Sequence, residues 1–235
     1  MTTKTSISLL TIVLSLATVS LLVTLSTTNF AFATTGHTCD SPHCYAIVHA
    51  KWQVWPLSGL REESGNKGTN VLPTTLPTTS GTNHWVANPF WVIFPDNDFV
   101  EVGWIKGNGI CGTHSTAQWY WVKWENNVPS HGCISSPTSN ATYELSDTDK
   151  NKTWSLKIAG TQRTTSAQDY SKGWLDVGSE YSVNTISHDG KSQSLQYYDT
   201  QWRNWDYAST TGTGQYSVDW CTEPTSFEHG DAPLC

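Results

Sequence analysis

The sequence predicts an all-β protein, an antiparallel two-sheet β-sandwich of the jelly-roll type that is stapled by disulfides. Helical periodicity is almost absent from the 235 residues. Short runs rich in valine, isoleucine, threonine, tyrosine and tryptophan recur between clusters of glycine, proline, asparagine, serine and aspartate, which is typical of strands and turns. The cysteines number six, and an even count in an exported chain indicates three disulfides.

Eleven strands are predicted, and together they need two packed sheets. They cover residues 45–52, 85–94, 99–106, 118–125, 141–145, 153–158, 174–177, 180–185, 194–198, 202–207 and 216–220. Residues 61–83 and 161–173 are polar stretches without periodicity, so both are predicted to be long loops.

The N-terminal residues 1–33 have the three parts of a secretory signal peptide. Lys4 stands near the start, an apolar stretch covers 7–25, and a small-x-small cleavage site lies at 31–33. We therefore expect a secreted protein whose residues 34–235 form a single domain, with 34–83 contributing one strand and a long flexible loop. The apolar stretch of about 19 residues is near the length that spans a bilayer, so an uncleaved N-terminal membrane anchor is the alternative.

The charge of the chain argues against two classes of partner. Loss of Lys4 with the signal leaves 12 basic and 20 acidic side chains, a net charge near −8, and no basic cluster is present. Nucleic acid and anionic membrane surfaces are therefore not expected as partners.

The cysteines and two asparagines point to an oxidising compartment. Proximity along the chain favours the pairs Cys39–Cys44, Cys111–Cys133 and Cys221–Cys235, although six cysteines allow 15 pairings. A zinc site is the competing interpretation, but the chain has no Cys-x-x-Cys pair and its histidines are scattered, so no metal and no cofactor are expected. Asn140 and Asn151 begin glycosylation sequons, which suit exposed turns of an exported protein.

The 13 tryptophans are the most unusual feature of the composition. In the stretch 119–124 aromatic residues fall on both faces of one predicted strand. One face would belong to the core, and the other would offer aromatic rings to a sugar or an extended peptide.

Two glutamates on predicted strands are the strongest candidates for chemistry. No Gly-x-Ser-x-Gly motif is present, and bridged cysteines leave no thiol to act as a nucleophile. Glu101 and Glu180 both stand close to glycines, which leave space beside a side chain. If neighbouring strands bring the two carboxyls onto one face, they repel, so that one keeps its proton while the other is ionised. Such a pair can act as general acid and general base around one water molecule.

Five segments resemble the neprosin domain of the glutamic peptidases, over about residues 84–207. They are Phe-Val-Glu-Val-Gly-Trp-Ile at 99–105, Tyr-Trp-Val-Lys-Trp at 120–124, His-Gly-Cys-Ile at 131–134, Lys-Thr-Trp-Ser-Leu at 152–156 and Val-Gly-Ser-Glu-Tyr-Ser at 177–182. The resemblance implies a concanavalin-like β-sandwich that is secreted and active in acid, with two catalytic glutamates. The related fungal-type enzymes, also called eqolisins, use a glutamine and a glutamate.

Carried over to this chain, the resemblance makes Glu101 and Glu180 the catalytic pair. It places Trp104 and Tyr120 in the wall along the substrate, and Trp124 of the aromatic stretch 119–124 is a further substrate-binding candidate. The chain departs from the family pattern in having Gly178-Ser179-Glu180 instead of Gly-Gly-Glu and in lacking the large N-terminal activation segment.

The leading prediction is a glutamic-peptidase-like protein that hydrolyses peptide bonds at acid pH, with a polypeptide as its substrate. The alternative is a carbohydrate-binding or cell-envelope adhesion module that uses exposed tryptophan and tyrosine side chains without catalysis, so that its partner is a glycan. A glycosidase is a third possibility, because paired carboxylates also suit sugar hydrolysis.

Overall fold

The structure is a computed structural model of the chain, and it describes residues 46–52, 61–73, 75–79, 81, 83–135, 139–212, 215–231 and 235, the first range by its backbone only. The chain divides into a unit of residues 1–30, which lies outside the described residues, and a unit of residues 31–235. The signal or anchor at 1–33 and the Cys39–Cys44 pair therefore stay predictions. In the described ranges, no helix has the length and apolarity needed to cross a membrane.

The described residues form sixteen strands. They are β1 (Ala46–Trp52), β2 (Glu62–Glu63), β3 (Gly65–Val71), β4 (Trp85–Ile93), β5 (Phe99–Gly109), β6 (Gly112–Glu125), β7 (Val128–Ile134), β8 (Ala141–Ser146), β9 (Thr153–Ile158), β10 (Thr161–Ala167), β11 (Gly173–Tyr181), β12 (Asp189–Tyr198), β13 (Trp202–Asn204), β14 (Ala208–Thr211), β15 (Ser217–Thr222) and β16 (Ser226–Gly230).

The strands make two antiparallel eight-stranded sheets. Sheet I has the order β14-β1-β11-β4-β5-β6-β7, with the short β2 paired to β11. Sheet II has the order β10-β9-β8-β3-β12-β16-β15, with β13 paired to β12. The predicted all-β, two-sheet, antiparallel sandwich is confirmed.

The main core lies between the two sheets. Sheet I contributes alternate residues of β4 and β5, and sheet II contributes alternate residues of β8, β9 and β12, as the period of two in a strand requires. Phe90 meets Tyr143 edge to face at 5.4 Å between ring centroids, and Phe94 meets Trp154 at 5.2 Å in the same way. These contacts fix which face of sheet I is the inner face.

Several predicted loops and boundaries are wrong. Residues 65–71, in the predicted loop 61–83, form β3 in the middle of sheet II, and residues 161–167, in the predicted loop 161–173, form β10. The stretch 173–181 is one continuous strand instead of two, because Gly178 and Ser179 are extended and not a turn. Strands β7, β14 and β16 were not predicted at all.

Two of the three predicted disulfides are described, and both are formed. Cys111 is bonded to Cys133, with 5.7 Å between their Cα atoms, and Cys221 is bonded to Cys235. The first bond joins the turn after β5 to β7, so it ties three neighbouring strands of sheet I together. Asn140 and Asn151 of the sequons are both exposed.

Candidate active site

Glu101 and Glu180 lie on the same face of sheet I, the outer face, which does not pack against sheet II. Glu101 of β5 is opposite Trp91 of β4, and Glu180 of β11 is opposite Ala87 of β4. Trp91 and Ala87 are an even number of residues apart on β4, and directly paired residues share a face of the sheet. The two glutamates therefore flank β4 on one side of the sheet.

Small residues form the floor between the two carboxyls. Gly103 of β5 is paired with Pro89 of β4, and the register of β11 brings Gly178 to the other side of the same proline. A Cβ atom on Gly103 would lie 2.6 Å from the backbone oxygen of Asn88, so only glycine fits there. Pro89 has no N–H to donate, and the pairing of β4 with β11 is interrupted between Val177 and Glu180.

Glu101 is buried and held by an aromatic hydrogen-bond donor. Its carboxyl oxygen Oε1 accepts a hydrogen bond from the hydroxyl of Tyr120, which lies on the same face opposite Gly103. Burial raises the pKa of Glu101 from 4.5 to about 7, while the hydrogen bonds of Tyr120 and Trp91 act in the opposite direction. The Tyr120 hydroxyl therefore favours the ionised form of Glu101.

Glu180 is perturbed in the same direction but more strongly. Desolvation raises its pKa well above 4.5, and the negative charges of Glu101 and Asp176 raise it further. Asp176 is buried and, like Glu101, is opposite Trp91, so this face carries three acidic residues. The electrostatic coupling of Glu101 and Glu180 is the behaviour expected of a shared site, in which one carboxyl keeps its proton while the other ionises.

Aromatic side chains surround this acidic group on the outer face. Phe99 and Trp124 are paired across β5 and β6, and their rings are stacked with 5.8 Å between centroids. Trp174 and Phe99 pack against the buried side chains of Trp91 and Ile93. The prediction of aromatic residues on both faces of β6 is correct, since Trp119 and Trp121 pack against the inner core while Tyr120 and Trp124 lie on the glutamate face.

One predicted substrate-binding residue is in the wrong place. Trp104 is three residues from Glu101 on the same strand, so strand alternation turns it to the inner face. It is almost fully buried there and meets His188 edge to face at 5.2 Å. The prediction that Trp104 contacts a substrate is therefore corrected, whereas Tyr120 and Trp124 lie on the same face of the sheet as Glu101.

A buried polar cluster behind the glutamates was missed by sequence reasoning. The hydroxyl of Ser179, next to Glu180, donates to Oδ1 of Asn88 at 3.0 Å and also contacts Nδ1 of His229. Nε2 of His188 lies 3.1 Å from the same Asn88 oxygen, and Nε2 of His229 lies 3.2 Å from the hydroxyl of Ser192. Because both imidazoles are buried, their pKa values fall from 6.5 to about 3.

The described residues include one group with the composition of a metal site. Cys221, Glu228 and Cys235 have their ligand atoms within 4.8 Å of one another, but the two sulfur atoms are bonded to each other as a disulfide and so are not thiolate ligands. In the turn after β4, the carboxylate of Asp98 accepts hydrogen bonds from the backbone N–H groups of Asn126 and Asn127, so it is engaged within the protein.

Comparison with known proteins places the fold in one class of sandwich. No family model matches the sequence, and no curated protein matches it either. The solved structures nevertheless show that the chain shares its β-sandwich with the glutamic peptidases, to which it bears a distant resemblance. The resemblance predicted from the sequence is confirmed at that level.

One of the similar solved proteins is scytalido-glutamic peptidase, whose crystal structures contain transition-state analogues. Two of its structures superpose with TM-scores of 0.53 and 0.52, at 10% identity, covering 80% of this chain and 98% of the other. A Bacillus licheniformis β-glucanase superposes less well, with a TM-score of 0.34, 10% identity, 59% of this chain and 67% of the other. That weaker likeness supports no conclusion about this chain.

Proposed function

We propose that this protein is a secreted glutamic peptidase in which Glu101 and Glu180 hydrolyse a peptide bond through one activated water molecule. The observation that supports the proposal is the pair of coupled carboxyls on one face of sheet I, separated by the glycine and proline floor of β4 and its neighbours. The disulfides of the described residues fit an exported protein, because such bonds persist in oxidising compartments.

The surroundings of each glutamate support a division of the two roles. Glu101 ionises first, because Tyr120 and Trp91 stabilise its carboxylate, and it acts as the general base that removes a proton from water. Glu180 keeps its proton, because the charges of Glu101 and Asp176 oppose its ionisation. It donates a hydrogen bond to the substrate carbonyl, and the leaving nitrogen takes its proton from the acid pair as the C–N bond breaks.

The working pH follows from these assignments. The base form of Glu101 accumulates as pH rises toward its pKa of about 7, while activity persists only as long as Glu180 holds its proton. This protein is therefore expected to work best from weakly acidic to neutral pH. Strongly acidic optima, which the family resemblance implies, require a base with a lower pKa than that of Glu101.

The lining of the face indicates the kind of substrate. The rings of Phe99, Trp124 and Trp174 lie to one side of Glu101, and the apolar cluster of Ala87, Ile105 and Tyr120 lies on the other. Only the three rings of the first group are partly exposed, so an extended polypeptide laid across this face would bury apolar surface against them.

The test is a cleavage assay on purified protein with casein and with polysaccharides, over about pH 3 to 8. Glu101→Gln and Glu180→Gln should each reduce casein cleavage by about 100-fold or more, since each removes one proton-transfer group but keeps its shape. Glu223→Gln, at an exposed glutamate near the C-terminal end, is the matched control and should keep full activity. Undiminished turnover in both active-site variants would refute the two-glutamate mechanism.

The alternative function, a non-catalytic carbohydrate-binding or adhesion module, is favoured by one observation. The stacked rings of Phe99 and Trp124 are only partly buried and could stack on a sugar ring. In the same assay this alternative predicts no cleavage of casein and retention of the protein on a polysaccharide column, with loss of retention in Trp124→Ala. Release of reducing sugars that depends on Glu101 and Glu180 would instead indicate a glycosidase.

A further inference from the structure

A polar cavity lies at one end of sheet I, between residues 78, 79 and 81 and the hairpin of β5 and β6. Its volume is about 430 Å³. The side chains that line it include hydroxyls, one amide, one imidazole and one ammonium, from Thr78, Thr79, Lys106, Asn108, His114 and Ser115. In the described part of the chain, no carboxylate lines this cavity, although the protein as a whole has 20 acidic residues and a net charge of −7.

Lys106 differs from most other lysines of the described residues in having no carboxylate partner there. Five other lysines pair with a carboxylate: Lys67, Lys123, Lys157, Lys172 and Lys191. Among the described residues, no carboxylate oxygen lies within the 4.0 Å of an ion pair from Nζ of Lys106. Its ammonium donates to the backbone oxygen of Pro77, and partial desolvation lowers its pKa below 10.5. A partly buried cation with neutral surroundings is stabilised by an anion that reaches it.

The other polar groups of the cavity are oriented by their own hydrogen bonds. Nε2 of His114 lies 2.6 Å from the backbone oxygen of Cys111, and since a carbonyl only accepts, that nitrogen carries a hydrogen. Oδ1 of Asn108 accepts the hydroxyl of Thr113 at 3.0 Å, and its Nδ2 donates one of its two hydrogens to Oδ1 of Asn83 at 3.4 Å. The hairpin that carries these groups is anchored to β7 by the Cys111–Cys133 bond.

The backbone at the cavity is built around a glycine that nothing else can replace. Gly107 has a φ of 104°, in the left-handed region, and a Cβ atom there would lie 2.1 Å from the backbone oxygen of His84. This close approach holds the end of β5 against the segment before β4. The backbone N–H of Asn108 donates to the same His84 oxygen at 2.9 Å.

We propose that this cavity binds a small oxyanion, either sulfate or phosphate, free or as an ester group on a sugar. The ammonium of Lys106 supplies the charge, and hydroxyl and amide donors from two sides of the cavity match an anion that has acceptor oxygens in several directions. The site is separate from the glutamates, because Lys106 is paired with Val86 of the inner core and so lies on the opposite face of sheet I from Glu101. The proposal therefore does not depend on the peptidase function.

The test is isothermal titration of the purified protein with sodium sulfate and with sodium phosphate, against sodium chloride at matched ionic strength. Saturable binding of either anion, absent with chloride, is expected. Lys106→Gln should weaken it by about tenfold or more, because a hydrogen bond to a charged group is lost. Lys106→Arg should retain it. Lys150→Gln, which removes the same charge from an exposed position, should leave it unchanged.

Equal affinity in wild type and Lys106→Gln, or a response to sulfate and phosphate no different from that to chloride, would overturn the proposal. If Lys106→Gln does not fold, the double variant Thr78→Val and Thr79→Val decides the question. It keeps the charge of Lys106 and removes two hydroxyl donors, so the affinity for the anion should fall by about threefold or more. An unchanged affinity would count against the site. Titration with glucose 6-sulfate and with glucose then distinguishes an ester group on a sugar from a free ion, since only the sulfated sugar competes with sulfate if esters are accepted.

Discussion

Glu101 gives a prediction about stability that can be tested without any substrate. A carboxyl whose pKa is 4.5 when unfolded and about 7 when folded binds its proton more tightly in the folded state. Below pH 4.5 Glu101 is protonated in both states, and its proton makes its full contribution to the free energy of unfolding. As pH rises through 7, the unfolded state loses its proton first, and the folded state is destabilised by about 3 kcal/mol.

The perturbation is Glu101→Gln, which keeps the shape and an oxygen that can accept from Tyr120 but removes the titration. The free energy of unfolding should be measured by urea denaturation at about pH 4.5 and about pH 8. Between these values the variant should lose about 3 kcal/mol less than the wild type does. Glu223→Gln, at an exposed glutamate, is the control and should follow the wild type. If Glu101→Gln shows the same dependence on pH as the wild type, the carboxyl is not desolvated as described, and the assignment of the base fails with it.

The remaining predictions concern the stability of the protein at acid pH and the dependence of kcat/KM on pH. His229 has a pKa of about 3 in the folded state and 6.5 in the unfolded state. Its contribution to the free energy of unfolding is therefore complete above pH 6.5 and is lost as pH falls toward 3. His229→Gln should therefore reduce the loss of unfolding free energy between about pH 7 and about pH 4 by about 3 kcal/mol, and an unchanged loss would contradict the burial of this imidazole. Tyr120→Phe removes the hydroxyl that favours the carboxylate of Glu101, so the acid limb of kcat/KM should move to higher pH; a profile that keeps its acid limb would show that Tyr120 does not act on the base.

The buried carboxyl of Glu101 and the buried imidazoles change the stability in opposite directions as pH changes. Glu101 destabilises the folded state as pH rises above 4.5, and His188 and His229 do so as pH falls below 6.5. Between about pH 4.5 and about pH 6.5 these two effects have opposite signs, so they partly cancel in the free energy of unfolding.

The strands that sequence reasoning found and missed differ in a physical respect. The run 99–106 alternates apolar and polar residues with β-branched side chains, which is the signal of a strand with two different faces, and β5 is there. Strand β3, Gly-Asn-Lys-Gly-Thr-Asn-Val, has almost no such residues, yet it is central in sheet II. Its inner face is filled by amides and a glycine: Nδ2 of Asn66 donates to the backbone oxygens of Trp91 and Asp176, and Gly68 leaves room for the ring of Phe90.

The candidate site was predicted in part for a similar reason. The glutamates could be singled out because each stands near a glycine on a β-type segment, and the resemblance to a family paired them. The position of Trp104 could have been corrected from the sequence alone, since three residues along a strand change the face. The cluster of Asn88, Ser179, His188 and His229 could not, because its hydrogen-bonded pairs are 50 to 100 residues apart along the chain and their meeting depends on the register of two sheets.

The disulfide between Cys111 and Cys133 affects what one proteolytic cut would do to the protein. The exposed turn at Asn126 and Asn127 lies inside the loop that this bond closes. A chain nicked at that turn would leave two pieces that remain covalently joined, and β6 and β7 would still hold each other through their backbone ladder. One cut at this exposed hairpin would therefore remove no strand from the sheet that carries Glu101.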